Sequence, residues 1–193
     1  LDVLGEHINR IEEAQAPQAI GGSAAVGTAR PVTALRAVEL SPQMRFSTGI
    51  GEFDTVLGGG LVRGSAVLIG GEPGIGKSTL LLQVAGKLGD RGVPVLYVCG
   101  EESVQQVRAR ADRVGAAEGI ALLPEVDAAA IEATVLAERP QVVIVDSVQT
   151  LFDPGLDGVP GSVGQVRATA ARLVRMAKTC DVTLVLVGHV TKD

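Results

Sequence analysis

Aromatic residues are scarce in this chain: it has no tryptophan, one tyrosine and three phenylalanines among 193 residues. Because 46% of the residues are nevertheless hydrophobic, the core must be built from aliphatic side chains. Such a composition suits buried parallel strands that are covered by helices. The shortage of aromatic rings also argues against base stacking as the main mode of any nucleic-acid binding.

Cysteine is nearly absent as well. Cys99 and Cys180 are the only two, and neither belongs to a CxxC pair, which excludes a disulfide framework and a cysteine-rich zinc site and fits a reducing compartment. No run approaches the roughly 18 to 20 apolar residues of a membrane span. The first residues, LDVLGEHINRIEE, lack the pattern of a secretion signal. We therefore predict a cytoplasmic protein that makes no contact with a membrane.

An excess of basic charge is also missing. The net charge of −5 excludes a protein whose whole surface attracts nucleic acid, although it leaves room for a local basic track. Nucleic-acid binding therefore needs support from residues at particular positions.

Residues 1–45 differ in composition from the rest of the chain. A charged stretch at residues 6–13 predicts one or two helical turns, and residues 16–34, rich in Ala, Gly, Pro and Ser, predict a flexible linker. From residue 46 to residue 193, short apolar runs alternate with helical patterns, which predicts an α/β core with a mainly parallel, twisted sheet flanked by helices. Because the chain begins without Met, we expect it to be a fragment, and because it stops just after an apolar run, we expect its core to be truncated on the C-terminal side. The predicted strands are Ala66–Gly70, Pro94–Cys99, Ile120–Leu123, Gln141–Val145 and Val182–Val187, and the predicted helices are Ser78–Leu88, Ser103–Val114, one that Asp127 caps and Pro140 ends, and Val163–Thr179.

The strongest motif is GEPGIGKS at residues 71–78, which matches G-x-x-x-x-G-K-[ST] and lies between a predicted strand and a predicted helix. Glycines let backbone N–H groups turn inward around a phosphate, and the following helix presents its positive end. Lys77 would reach the β- and γ-phosphates, and the Ser78 hydroxyl would bind Mg²⁺. A glycine-rich turn that merely begins a helix is the alternative. The predicted nucleotide-binding residues are Gly71, Glu72, Pro73, Gly74, Ile75, Gly76, Lys77, Ser78 and Thr79.

Two apolar runs end on carboxylates. The run VVIVDS places Asp146 at the end of a strand, and ligands of parallel sheets bind at this edge. Asp146 would hold Mg²⁺ through water, next to the phosphate loop if the two strands are neighbours; a turn residue is the alternative.

The run LYVCGEES places Glu101 and Glu102 after the strand that follows the phosphate loop and its helix. A parallel crossover brings both to the same edge of the sheet. One of them is predicted to orient and polarise the water that attacks the γ-phosphate. Alternatively, both glutamates only stabilise the next helix, because their negative charges interact favourably with the positive end of its dipole.

The last apolar run places His189 at the same edge, where it would sense the γ-phosphate by hydrogen bonding, unless it is a structural histidine.

Another feature is the glycine- and proline-rich segment DPGLDGVPGSVG, residues 153–164, which is followed by basic residues. It suits contact with a polymer that passes the sheet edge and whose phosphates bind arginines. On composition alone, a mobile loop beside a solvated helix face explains it equally well. The basic residues are Arg167, Arg172, Arg175 and Lys178.

Together these segments resemble the RecA-like ATPase core of the bacterial RadA/Sms family, whose members promote DNA branch migration in recombination and repair. The resemblance covers about residues 32–193 and is carried by TGIGEFDTVLGGGL, GGEPGIGKST, LYVCGEES, IVDSVQTL, PGSVGQVR and LVGHVTKD.

The resemblance implies an ATP-hydrolysing hexameric ring that moves on single-stranded DNA, with ATP and Mg²⁺ as cofactors. It implies Glu101 as the catalytic residue that activates water and His189 as the γ-phosphate sensor. The motifs themselves predict Lys77 as a second catalytic residue and place Ser78 and Asp146 at the metal. The loop Gly155–Gln165 would face the DNA channel, with Arg167 and Arg175 as DNA contacts. Single-stranded DNA, branched DNA and a recombinase are the implied partners.

Members of that family also carry a four-cysteine zinc module, a Lys-Asn-Arg-Phe-Gly element after the histidine strand and a domain that resembles the Lon protease fold. None of these is found in the 193 residues, so the resemblance implies a fragment. Two other functions stay open: a regulatory ATPase similar to the KaiC family that acts on protein partners, and a nucleotide-binding module that does not hydrolyse. The presence of Glu101 argues against the module that does not hydrolyse. Substitution of Arg167 or Arg175 distinguishes the other two functions, because it should weaken single-stranded DNA binding only in a DNA motor.

Overall fold

The structure is a computed structural model that describes residues 32–37, 45–116 and 118–189. Residues 32–37 belong to a separate unit and contain one 3₁₀ turn, Leu35–Ala37. The predicted helical turns at residues 6–13 and most of the predicted linker lie outside the described residues, so the division at residue 45 stays a prediction.

The unit that begins at residue 41 alternates strands and helices as the sequence predicts. In chain order its elements are β1 (Arg45–Phe46), α1 (Gly51–Val56), β2 (Leu61–Val62), β3 (Ala66–Gly71), α2 (Lys77–Gly89), β4 (Val95–Cys99), α3 (Val104–Arg113), β5 (Ile120–Leu123), α4 (Ala128–Glu138), β6 (Val142–Asp146), a 3₁₀ turn (Val148–Thr150), α5 (Val163–Cys180) and β7 (Thr183–His189).

Five strands form one parallel sheet in the order β3-β7-β6-β4-β5. The predicted α/β class, with a parallel sheet flanked by helices, is therefore confirmed. The neighbour relation that we considered for Asp146 is wrong, because β7 lies between β3 and β6. Gly71 of β3 is instead in register with His189 of β7. The histidine strand, not the aspartate strand, is thus adjacent to the strand that enters the phosphate loop.

The predicted helix caps are confirmed. The Ser103 hydroxyl accepts a hydrogen bond from the backbone N–H of Gln106, whose side chain accepts one from the N–H of Ser103. This reciprocal arrangement satisfies two N–H groups that a helix start leaves without partners. The Asp127 carboxylate accepts hydrogen bonds from Ala129 and Ala130 at the start of α4.

Aliphatic side chains fill the space on both faces of the sheet. One layer packs α2 and α3 against the sheet and the other packs α4 and α5 against the opposite face. Strands β4 and β6 are buried along their whole length, as expected of central parallel strands. The edge strand β3 is only half-buried, and Leu68 on it is 66% exposed. In the described part of the chain, no helix is long and apolar enough to span a membrane.

The segment before β3 forms a small structure of its own that the sequence does not predict. Strands β1 and β2 pair antiparallel, and α1 lies between them in the chain. The Asp54 carboxylate accepts hydrogen bonds from the Ser47 hydroxyl and from the N–H and hydroxyl of Thr48. Burial opposes ionisation of Asp54, but these hydrogen bonds outweigh it and lower the pKa of that carboxyl.

Candidate active site

The predicted phosphate-binding loop connects β3 to α2. Gly74 and Gly76 have φ angles of 80° and 95°, a left-handed conformation that side chains other than glycine rarely adopt. Gly76 directly precedes the first turn of α2. The buried Lys77 ammonium donates hydrogen bonds to the carbonyl oxygens of Gly71 (2.9 Å) and Glu72 (2.8 Å). The loop therefore holds a positive charge beside the positive end of a helix.

A cavity of about 410 Å³ lies at the carboxyl edge of the sheet and includes this loop. Four strand ends contribute to it, because β3 leads into the loop, β4 into the two glutamates, β6 ends in Asp146 and β7 ends in His189. Parallel sheets bind ligands at this edge. The lining residues are Pro73, Gly74, Gly76, Lys77, Ser78, Thr79, Tyr97, Cys99, Glu101, Glu102, Val107, Arg110, Asp146 and His189.

Glu101 and Glu102 have different surroundings although they are adjacent in sequence. The Glu101 Oε1 atom accepts a hydrogen bond from the Ser147 hydroxyl and lies 3.2 Å from His189 Nε2. Glu102 instead forms an ion pair with Arg110 of α3. Glu101 is therefore fixed between the ends of β6 and β7, whereas Glu102 is tied to a helix.

Gly100 sets the position of Glu101. A Cβ atom at residue 100 would lie 2.2 Å from the Thr150 hydroxyl oxygen, which is closer than two such atoms can approach. The Thr150 hydroxyl in turn donates a hydrogen bond to the Ser147 carbonyl oxygen. The end of β4 thus packs closely against the 3₁₀ turn after β6, and this contact brings Glu101 next to Ser147.

Asp146 is buried, and among the described residues its carboxylate has one hydrogen-bond donor. The Tyr97 hydroxyl donates a hydrogen bond of 2.6 Å to Asp146 Oδ2. Burial, together with the negative charge of Asp146, raises the pKa of Tyr97 far above its ordinary value. The phenol therefore stays protonated and remains a hydrogen-bond donor at every physiological pH.

The segment between residues 153 and 162 is anchored at its base by one buried side chain. The Gln165 amide oxygen accepts a hydrogen bond from the Asp153 N–H (2.8 Å), and the two N–H groups of its amide nitrogen face the carbonyl oxygens of Leu156 (3.0 Å) and Asp153 (3.1 Å), with that of Gly158 at 3.4 Å. The tip is exposed, and Val159 on it is 71% accessible. A fixed base thus carries a solvent-exposed tip.

The basic residues of α5 fall into two groups. Arg172 donates to Glu132 (2.6 Å) and Asp153 (3.2 Å), and the hydrogen bond to Glu132 is the main reason why its pKa is raised. Arg167 and Arg175 are exposed and form no ion pair with any described residue. Eight residues of helix place these two about 12 Å apart. Only Arg167 is near the helix start, which follows the segment at the carboxyl edge.

Sequence reasoning did not identify Tyr97, Ser147 or Gln165 as site residues. Tyr97 reads as one more apolar residue of a buried strand, although a buried phenol usually needs a hydrogen-bond partner. Ser147 directly follows Asp146, so its position was a usable signal. Gln165 is fully buried, but nothing in its helical surroundings predicts that its amide turns back toward the preceding segment.

Comparison with known proteins adds the family context. Residues 37–193 match a family model described as an AAA domain. The DNA repair protein RadA of Bacillus subtilis (strain 168) is 45% identical over 184 residues, which cover 95% of this chain and 40% of that protein. The DNA repair protein RadA of Pseudomonas aeruginosa is 49% identical over 179 residues (92% and 39%), and that of Escherichia coli (strain K12) is 49% identical over 174 residues (90% and 37%). The chain thus spans about two fifths of the length of the curated relatives that it matches.

Proposed function

The chain belongs to the AAA domain family and is similar over most of its length to bacterial DNA repair proteins RadA, and from this premise we propose that it is the ATP-hydrolysing core of a DNA recombination and repair motor. The observation that carries the proposal is that the predicted phosphate-binding loop lines the same cavity as Asp146, Glu101 and His189. A site that only bound nucleotide would not need a carboxylate fixed at this position.

The residues present fit a magnesium nucleotide. Ser78 and Asp146 line the cavity together and offer the hydroxyl and carboxylate oxygens that Mg²⁺ prefers. Among the described residues, no group of three or more His, Cys, Asp or Glu could hold a metal alone. This agrees with a metal that is bound through one carboxylate and the substrate phosphates. When bound, Mg²⁺ would neutralise charge on the β- and γ-phosphates.

The protein's own groups would divide the remaining work. Lys77 exchanges its two carbonyl partners in the loop for phosphate oxygens. Glu101 orients the attacking water and accepts its proton, and Ser147 fixes the orientation of that carboxylate. His189, 3.2 Å from Glu101, detects the γ-phosphate. Glu102 supports the site through its ion pair with Arg110 and has no part in the chemistry.

Substitution of the two glutamates tests the hydrolytic assignment. Glu101→Gln should retain ATP binding and lose turnover by about a hundredfold or more, the size of a general-base contribution. Glu102→Gln is the matched control and should keep turnover within a few-fold. Steady-state ATP hydrolysis and equilibrium binding of a fluorescent ATP analogue are the two measurements. Normal turnover in Glu101→Gln would refute the assignment and favour a module that binds nucleotide without this chemistry.

The DNA-directed part of the proposal rests on the relatives and on the segment at residues 153–162. The exposed tip and Arg167 lie at the same edge of the sheet as the cavity, where a strand of DNA can contact them. We propose that single-stranded and branched DNA are the partners, that the reaction is branch migration by a hexameric ring, and that a recombinase cooperates with it. With two free cysteines among the described residues, we assign it to the cytoplasm.

Stimulation of ATP turnover by single-stranded DNA tests this part. Turnover should be measured with and without DNA for the 193-residue chain and for a full-length relative such as the DNA repair protein RadA of Bacillus subtilis. Stimulation in either protein supports a DNA motor. The absence of stimulation and of salt-sensitive DNA binding in both would contradict it, and would favour a regulatory ATPase that acts on protein.

A further inference from the structure

The hydrogen bond between Tyr97 and Asp146 joins two neighbouring strands inside the cavity. Tyr97 is 1% exposed and Asp146 is 9% exposed, and the donor and acceptor oxygens are 2.6 Å apart. The bond is shielded from water and runs between side chains 49 positions apart in sequence. It is therefore a tertiary contact that only the folded sheet brings about.

The chemistry of the two groups determines which of them donates the hydrogen bond. An ionised carboxylate accepts hydrogen bonds and cannot donate them, whereas a phenol donates one. The donor from Tyr97 occupies Oδ2 of Asp146 and so defines the rotation of the carboxylate about its last torsion angle. Asp146 also lines the cavity, and among the described residues no hydrogen bond is formed to its other oxygen, Oδ1.

The Tyr97 ring itself is held firmly. It belongs to the hydrophobic layer that β4 shares with α2 and α3, and its strand is buried along its whole length. Its hydroxyl end reaches the cavity wall, where Glu102 and Arg110 also lie. A rigid aromatic ring with one polar end fixes the orientation of a neighbouring carboxylate better than a mobile polar side chain would.

We propose that Tyr97 is a positioning residue that orients Asp146 for metal binding. The inference rests on the proposed metal role of Asp146 and adds to it the residue that makes the carboxylate effective. Partners that orient a metal-binding carboxylate typically change metal affinity by about 10-fold to 100-fold when they are removed. Tyr97 therefore determines how much Mg²⁺ the nucleotide complex requires.

The test is a magnesium titration of nucleotide binding, with Tyr97→Phe as the variant. The affinity for a fluorescent, non-hydrolysable ATP analogue is measured in EDTA and then at rising Mg²⁺. Tyr97→Phe should raise the Mg²⁺ concentration for half-maximal tightening about tenfold, with the affinity in EDTA changed by no more than about twofold. The unchanged EDTA value also shows that the variant is folded.

Two further variants separate this role from packing and from the proposed function. Val98→Ala removes buried volume from the same strand on the opposite face and should leave the Mg²⁺ requirement unchanged. Asp146→Asn should raise the Mg²⁺ requirement, and Tyr97→Phe added to it should raise it no further.

The outcomes are distinct. A shift in Asp146→Asn with none in Tyr97→Phe would overturn the positioning role alone. If Tyr97→Phe caused an equal shift when combined with Asp146→Asn, or if Val98→Ala caused one, the role would be overturned too, because the effect would not pass through the carboxylate. No shift in Asp146→Asn would overturn the metal role and the inference together.

Discussion

The cavity and the α5 surface use their charged side chains in opposite ways. In the cavity, Lys77, Asp146 and Glu101 each have a protein partner that holds them. On α5, Arg167 and Arg175 are exposed and unpaired among the described residues, while Arg172 is held by two carboxylates. The first region fixes the positions of its charges and the second leaves some of them free.

This difference fits the two ligands that we propose. Hydrolysis of a phosphoanhydride requires groups placed within a fraction of an ångström, so each must be restrained before the nucleotide arrives. Contact with a nucleic-acid backbone depends mainly on charge, and its geometry varies along the strand. Substitutions in the cavity should therefore have large effects, and substitutions of the free arginines small and additive ones.

The largest effect on ATP affinity is expected for Lys77→Ala. It removes a buried, charged hydrogen-bond donor from the phosphate site, and hydrogen bonds to charged groups contribute about 1.5 to 3 kcal/mol. Affinity for ATP should therefore fall by roughly 10-fold to 100-fold. Isothermal titration of ATP into wild type and variant measures it. Lys87→Ala, at the other end of α2, is the control, and an equal loss in that variant would mean that the effect comes from helix charge alone.

Gln165→Leu should have the next largest effect, on stability. The variant loses the hydrogen bonds of the buried amide and leaves backbone groups of the segment without partners, which costs about 1 to 3 kcal/mol. Chemical denaturation measures the free energy of unfolding, and limited proteolysis should cut the segment faster. The exposed Gln105→Leu should change stability by less than about 0.5 kcal/mol. Equal stability of both variants would show that the segment is not anchored through Gln165.

Features that depend on a local sequence pattern were predictable, and features that depend on packing between distant segments were not. The motif at residues 71–78 and the carboxylates at the ends of apolar runs are local patterns, so the placement of Lys77, Asp146 and Glu101 at one cavity was predictable. Their roles stay predictions. Strand order depends on packing between distant segments, so the position of β7 between β3 and β6 was not. Tyr97, Ser147 and Gln165 escaped for the same reason, since each acts through a partner at least 12 residues away in sequence. Helix boundaries at Ser103 and Asp127 were predictable because caps are local.

Ser147→Ala should have an intermediate effect, on turnover. Loss of its hydroxyl removes the donor that orients Glu101, and a hydrogen bond to a charged group at the lower end of its range corresponds to about tenfold in rate. ATP affinity should stay the same, which distinguishes this variant from Lys77→Ala. Thr183→Ala removes another buried hydroxyl, one that donates to the Val62 carbonyl oxygen away from the cavity. It should lower stability only, and a comparable loss of turnover in it would contradict the orienting role.

Arg167→Ala should have the smallest effect and should be seen only in DNA binding. One exposed charge contributes at most about 1 kcal/mol to such contacts, so affinity for single-stranded DNA should fall about fivefold or less, with ATP affinity unchanged. One lost phosphate contact should also reduce the slope of log affinity against log salt concentration by about 0.7. Fluorescence anisotropy over a range of salt concentrations measures both the affinity and the slope.

The control is Lys178→Ala, because Lys178 is an exposed cation near the other end of α5. Arg175→Ala should resemble Arg167→Ala if DNA follows the helix, and Lys178→Ala if DNA contacts only the carboxyl edge, where Arg167 lies. An unchanged salt slope in Arg167→Ala would remove Arg167 from the proposed DNA-binding surface.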